Sequence, residues 1–119
     1  MDLETIRSYC LSKKGVTECF PFDEEILVFK VMDKMFLLCN INSDELAISV
    51  KCDSLLAMEL RERYEFVTPA YHMNKKMWNT VTYTGEISQF EFLKMIDHSY
   101  DEVVKKMSKK MQSVLESMS

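Results

Sequence analysis

The sequence predicts an α+β domain, a two-layer sandwich with helices packed on one antiparallel sheet of about five strands, in the order α-β-β-β-β-α-β-α. Three observations lead there. Between residues 26 and 52, three runs rich in strand-forming residues are joined by short polar links, the pattern of a meander. Apolar stripes at helical spacing bracket that region. Two Gly and two Pro in 119 residues leave few interruptions, so most of the chain belongs to regular elements. With 47% hydrophobic residues, one core can form without metal or disulfide staples, and a single domain over 1–119 is expected.

The first helix is capped by Asp2, with Glu4 in its first turn favoured by the helix dipole. Leu3, Ile6 and Cys10 form its stripe, and Lys13-Lys14-Gly15 stops it. Residues 16–22 read as extended up to Pro21, followed by a solvated acidic turn, Asp23-Glu24-Glu25. Strands follow over 26–31 and 35–41, linked tightly through Met32-Asp33-Lys34. Leu46, Ile48, Val50 and Cys52 alternate with Ala47, Ser49 and Lys51, the mark of a strand with one buried face. Asp53-Ser54 caps a helix over 55–64, which must end before Pro69 because proline pushes Thr68 out of helical angles. A further strand covers 77–83. Ser88-x-x-Glu91 is a capping box. One long last helix then carries a stripe of Ile96, Tyr100, Val103, Met107, Met111 and Val114, with Lys105, Lys106, Lys109 and Lys110 on its solvated side.

The formal charge of −4 excludes a protein that coats nucleic acid by bulk charge. It leaves room for a local basic site, because physiological salt limits a charge's reach to roughly 8 Å. Cys10, Cys19, Cys39 and Cys52 match no zinc spacing, and Cys39 and Cys52 sit in apolar runs as small buried hydrophobes. A reduced, cytoplasmic protein is expected. The acidic start, Met1-Asp2-Leu3-Glu4, is unlike a signal peptide, and no apolar run reaches membrane-spanning length.

Chemistry concentrates in residues 68–81, which hold the single Trp, one His and a Lys pair. Lys75 and Lys76 beside Asn74 and Asn79 suit DNA phosphates, although adjacent strand lysines point to opposite faces and one is then merely solvated. Tyr71 either stacks on a sugar or base or packs, and Trp78 reads as core. His72 is a hydrogen-bonding group with no carboxylate or second His nearby in sequence to form a triad or metal set. No cofactor, metal or catalytic set is expected.

These residues resemble the MmcQ/YjbR family of small bacterial proteins over nearly the whole chain. The resemblance rests on Thr17-Glu18-Cys19-Phe20-Pro21-Phe22, on Val28-Phe29-Lys30-Val31 with Lys34-Met35-Phe36, and on Val50-Lys51-Cys52. It rests most on residues 69–81, from Pro69-Ala70-Tyr71-His72 to Trp78-Asn79-Thr80-Val81, and on Asp97-His98-Ser99-Tyr100. Ala70, Asp23 and Met77 stand where the family tends to carry Gly, Gly and His. The resemblance implies a fold like that of frataxin-type and secretion-chaperone-like domains, and a DNA-binding label without a catalytic reaction. The expected function is therefore non-enzymatic DNA binding through residues 72–79, with Tyr71, His72, Asn74, Lys75, Lys76 and Asn79 as contacts. The alternative is a protein-interaction module using a sheet face or the Met-rich last helix. An enzyme built on Tyr71, His72 and Lys75 ranks last.

Overall fold

A computed structural model describes residues 1–70 and 73–118. The order is α1 (Leu3–Leu11), β1 (Val16–Cys19), β2 (Ile26–Val31), β3 (Lys34–Asn40), β4 (Ala47–Lys51), α2 (Ser54–Arg63), β5 (Val67–Pro69), β6 (Trp78–Thr82), α3 (Gln89–Lys105) and α4 (Lys109–Glu116). All strand pairs are antiparallel, and the sheet runs β1-β2-β3-β4-β6-β5. The α+β sandwich is as expected, with two differences. There is a sixth strand, and the last helix is two helices.

The sixth strand, β5, contains Pro69. It lies at the sheet edge, beyond β6, where a residue without an N–H costs no ladder bond. The helix break falls at residues 106–108. Ser108 caps α4 by accepting from the Met111 N–H at 3.1 Å. The Gln112 amide closes the end of α3, donating to the Val104 carbonyl at 3.0 Å and the Met107 carbonyl at 3.1 Å. The apolar stripe is re-phased by this turn, so Leu115 is buried whereas Val114, expected in the stripe, is exposed.

Leu27, Phe29, Leu37, Cys39, Ile48, Val50 and Val81 form the core face of the sheet with Ile6, Cys10, Phe92 and Ile96. The two-residue turn Met32-Asp33 has φ of 50° and 66°, the left-handed geometry of a tight hairpin. A bulge between Phe29 and Lys30 lets Phe36 and Leu37 both enter the core, while Met35 returns to the other side. Across that other face, the register aligns Val28, Leu38, Ser49 and Thr80 in a row. Burial pushes the thiols of Cys10 up to about 12 and of Cys39 and Cys52 up to about 11, so they behave as inert packing groups.

The Asp97-His98-Ser99-Tyr100 run is a set of ties from α3. Asp97 accepts from Lys13 Nζ at 2.5 Å and from the Tyr9 hydroxyl at 2.6 Å. Burial raises its pKa, but these two bonds outweigh burial and hold it below the usual value. His98 Nε2 accepts from the Asp53 N–H at 3.2 Å. Ser99 accepts from the Lys51 N–H at 2.8 Å and donates to the Phe36 carbonyl at 2.5 Å. The Tyr100 hydroxyl donates to the Lys14 carbonyl at 2.6 Å.

Gly15 is required by geometry. Its φ is +72°, and a Cβ there would meet Leu115 Cδ1 at 2.6 Å. Gly15→Ala is expected to cost about 1–2 kcal/mol from the left-handed backbone alone. Urea unfolding checks this, and an unchanged midpoint would contradict it.

Candidate nucleic-acid interface

Between β5 and β6 the chain turns through residues 73–77, and its backbone is tied from several sides. The Asn74 side-chain oxygen accepts from the Lys76 N–H at 3.0 Å, and its carbonyl accepts from the Met77 N–H at 3.0 Å. The Met77 carbonyl accepts from the Cys52 N–H at 2.7 Å. Arg61 of α2 is the principal brace. Its guanidinium donates to the carbonyls of Lys75 and, at 3.3 Å, Trp78, and to Asn79 Oδ1 at 2.6 Å. The turn is therefore a fixed platform that holds Asn74, Lys75 and Lys76 at the exposed surface.

Asn79 requires a correction. It is 1% exposed, and its amide is committed to Arg61 and, at 3.3 Å, to the Ala57 carbonyl. Pairing with Val50 places it on the core face beside Val81, so it supports the turn from beneath and is not a contact residue. Tyr71 and His72 lie outside the described residues. Trp78 is buried, but it lies on the sheet face opposite Asn79, outside the main core cluster, whereas a core position was expected.

The structure adds a cleft that sequence reasoning missed. It has a volume of about 640 Å3, bordered by Met73 and Trp78 from the two sides of the turn. Lys30, Lys34, Lys51 and Lys106 converge on it, and among the described residues Asp33 is the one carboxylate in its lining. None of these four lysines belongs to an ion pair among the described residues. Burial, then the positive charge of Lys106, lowers the Lys51 pKa, with Glu102 opposing. Four lysines against the single Asp33 carboxylate in the described lining leave an excess of positive charge there, which an anion would relieve. Lys106 Nζ also lies 3.8 Å from Met77 Sδ, so the cleft and the lysine turn adjoin.

The signal for these lysines was partly available. Lys51 alternates with Val50 and Cys52, and such alternation points it away from the core. Their convergence depends on strand register, the bulge and the end of α3, which no local pattern encodes.

Other chemistry is sparse. A hollow of about 200 Å3 between α2 and α3 contains Cys52, Leu60, Met95 and His98, but the imidazole nitrogen there is occupied by the Asp53 N–H. Among the described residues, no three His, Cys, Asp or Glu side chains are grouped to hold a metal ion. No described helix is long and apolar enough to cross a membrane.

Comparison with known proteins agrees with the architecture. A crystal structure of the Deinococcus radiodurans protein DR2400, with the family-model domain DUF419, matches with a TM-score of 0.90 and 37% identity, covering 96% of this chain and 87% of that one. A Pseudomonas syringae protein matches at TM-score 0.68 and 27% identity, over 83% of this chain and 96% of that one. In sequence, uncharacterized protein YbdF of Escherichia coli O157:H7 is 33% identical over 109 residues, 92% of this chain and 89% of YbdF. Uncharacterized protein YjbR of Escherichia coli K12 is 29% identical over 104 residues, 87% of this chain and 88% of YjbR. The YjbR family model matches residues 11–102, and the chain belongs to the YjbR family.

Proposed function

We propose that the protein is a non-enzymatic DNA-binding domain that holds the phosphate backbone on the Lys75–Lys76 turn and the adjoining lysine cleft. One observation carries this reading. In a chain of net charge −4, Lys30, Lys34, Lys51 and Lys106 gather in one cleft beside a braced turn that exposes two more lysines. Asn74 adds a polar group at the rim. Such a site binds mainly by counterion release, with modest affinity that falls steeply as salt rises. A cytoplasmic location, where DNA is accessible, accords with this reading.

Fluorescence anisotropy with labelled DNA at low salt tests it. The expected dissociation constant is about 1–100 μM, weakened several-fold by Lys75→Ala with Lys76→Ala. No binding at roughly 100 μM, or binding untouched by the double substitution, overturns the reading. The competing adaptor reading draws no support from the last helices, because Met107, Met111 and Met118 pack on the core.

A further inference from the structure

The lysine cleft is one end of a longer trough. A second hollow of about 490 Å3 lies on the same sheet face, lined by Ile26, Leu38, Ser49 and Thr80 among others. Phe22 and Met73 line both hollows, so the two adjoin at these side chains. The trough changes character along the strands. Its lysine end gathers positive charge, whereas the other end offers aliphatic side chains, the Ser49 and Thr80 hydroxyls, which lie 3.0 Å apart, and one carboxylate, Asp23, whose Oδ1 accepts from the Glu25 and Ile26 N–H groups. At the divide, Phe22 is 61% exposed, an apolar ring facing water.

A duplex does not match this shape. Its bases are stacked inside, and proteins read it by projecting a helix or β-ribbon into a groove. A concave trough projects nothing. An unpaired strand offers phosphates and apolar base faces side by side, the combination that lysines next to an exposed ring satisfy. We propose that the trough binds single-stranded DNA, with phosphates on Lys30, Lys51 and Lys106 and a base on Phe22 beside Met73. This rests on the DNA-binding reading above and narrows it from DNA in general to an unpaired strand.

The test compares the anisotropy of a labelled thymidine oligomer of about eight nucleotides with that of a duplex of the same length, for the full chain and for Phe22→Ala. The exposure of Phe22 makes this substitution compatible with folding, which thermal unfolding verifies. The oligomer is expected to bind at least about tenfold more tightly than the duplex. Phe22→Ala should remove about tenfold of the oligomer affinity, in the range of a single base–aromatic stack, and leave the duplex affinity unchanged. Equal affinities, a duplex preference, or an equal Phe22→Ala loss on both forms overturns the single-strand assignment while DNA binding itself stands. Failure to bind either form removes both.

Discussion

Asn79→Leu is expected to lower the unfolding free energy by about 3 kcal/mol and to loosen the turn that carries Lys75 and Lys76. The side chain is 1% exposed and joins Arg61 to the Ala57 carbonyl. Leucine has similar bulk but neither accepts from the guanidinium nor donates to the carbonyl. A hydrogen bond to a charged group contributes about 1.5–3 kcal/mol, and the abandoned carbonyl adds a desolvation cost of about 1–3 kcal/mol. In a chain of this size the midpoint should fall by roughly 10 °C. Asn79→Asp keeps an acceptor for Arg61, but it sets a buried carboxylate oxygen against the Ala57 carbonyl and is expected to cost stability as well. Urea and thermal unfolding give both values. A loss below about 1 kcal/mol for the leucine variant would show that the buried amide does not hold the turn.

The largest effect on binding is expected from Lys51→Gln with Lys106→Gln. Two cleft charges disappear without a large change of shape, and DNA affinity at low salt should fall by about tenfold or more. The log–log salt dependence should flatten by about 0.7 for each phosphate no longer neutralised on a single strand, and by about 0.9 on a duplex. Stability should respond differently. Burial and the charge of Lys106 already disfavour protonated Lys51, so neutral side chains relieve a cost, and the melting temperature should hold or rise. Weaker binding with undiminished stability identifies a binding cleft. Weaker binding with a lower melting temperature would identify lysines that support the fold.

Much of the fold was legible because its strands obey local rules. The alternation from Leu46 to Cys52 states its geometry in consecutive residues, while the tight link at Met32-Asp33-Lys34 reads one residue too long, since Lys34 already belongs to β3. The break between α3 and α4 was not legible, since apolar residues continue at helical spacing through Met107 and Met111. The caps that end one helix and begin the next are Ser108 and the side chain of Gln112. β5 was concealed by Pro69, which reads as a breaker until its edge position is known.

The site was half legible. The turn around Asn74 to Lys76 stood out by composition, and Arg61 braces its backbone. Asn79 was misread as surface because of its polar neighbours, although its two-residue spacing from Val81 already assigns it to the core face. Arg61 and the four cleft lysines come from five separate elements or turns and meet only through the sheet register. Asp97 to Tyr100, although distinctive as a motif, turned out to fasten α3 to α1, β3 and β4 and the adjoining turns.

We propose that the braced turn and the lysine cleft make one nucleic-acid surface. Amide chemical-shift mapping of the 15N-labelled protein, titrated with a short thymidine oligomer, tests it most directly. The largest shifts are expected at Lys30, Lys34, Lys51, Lys106 and the turn from Met73 to Trp78, all saturating together. Shifts confined to α1 and α4, or no shifts at all, would contradict the claim.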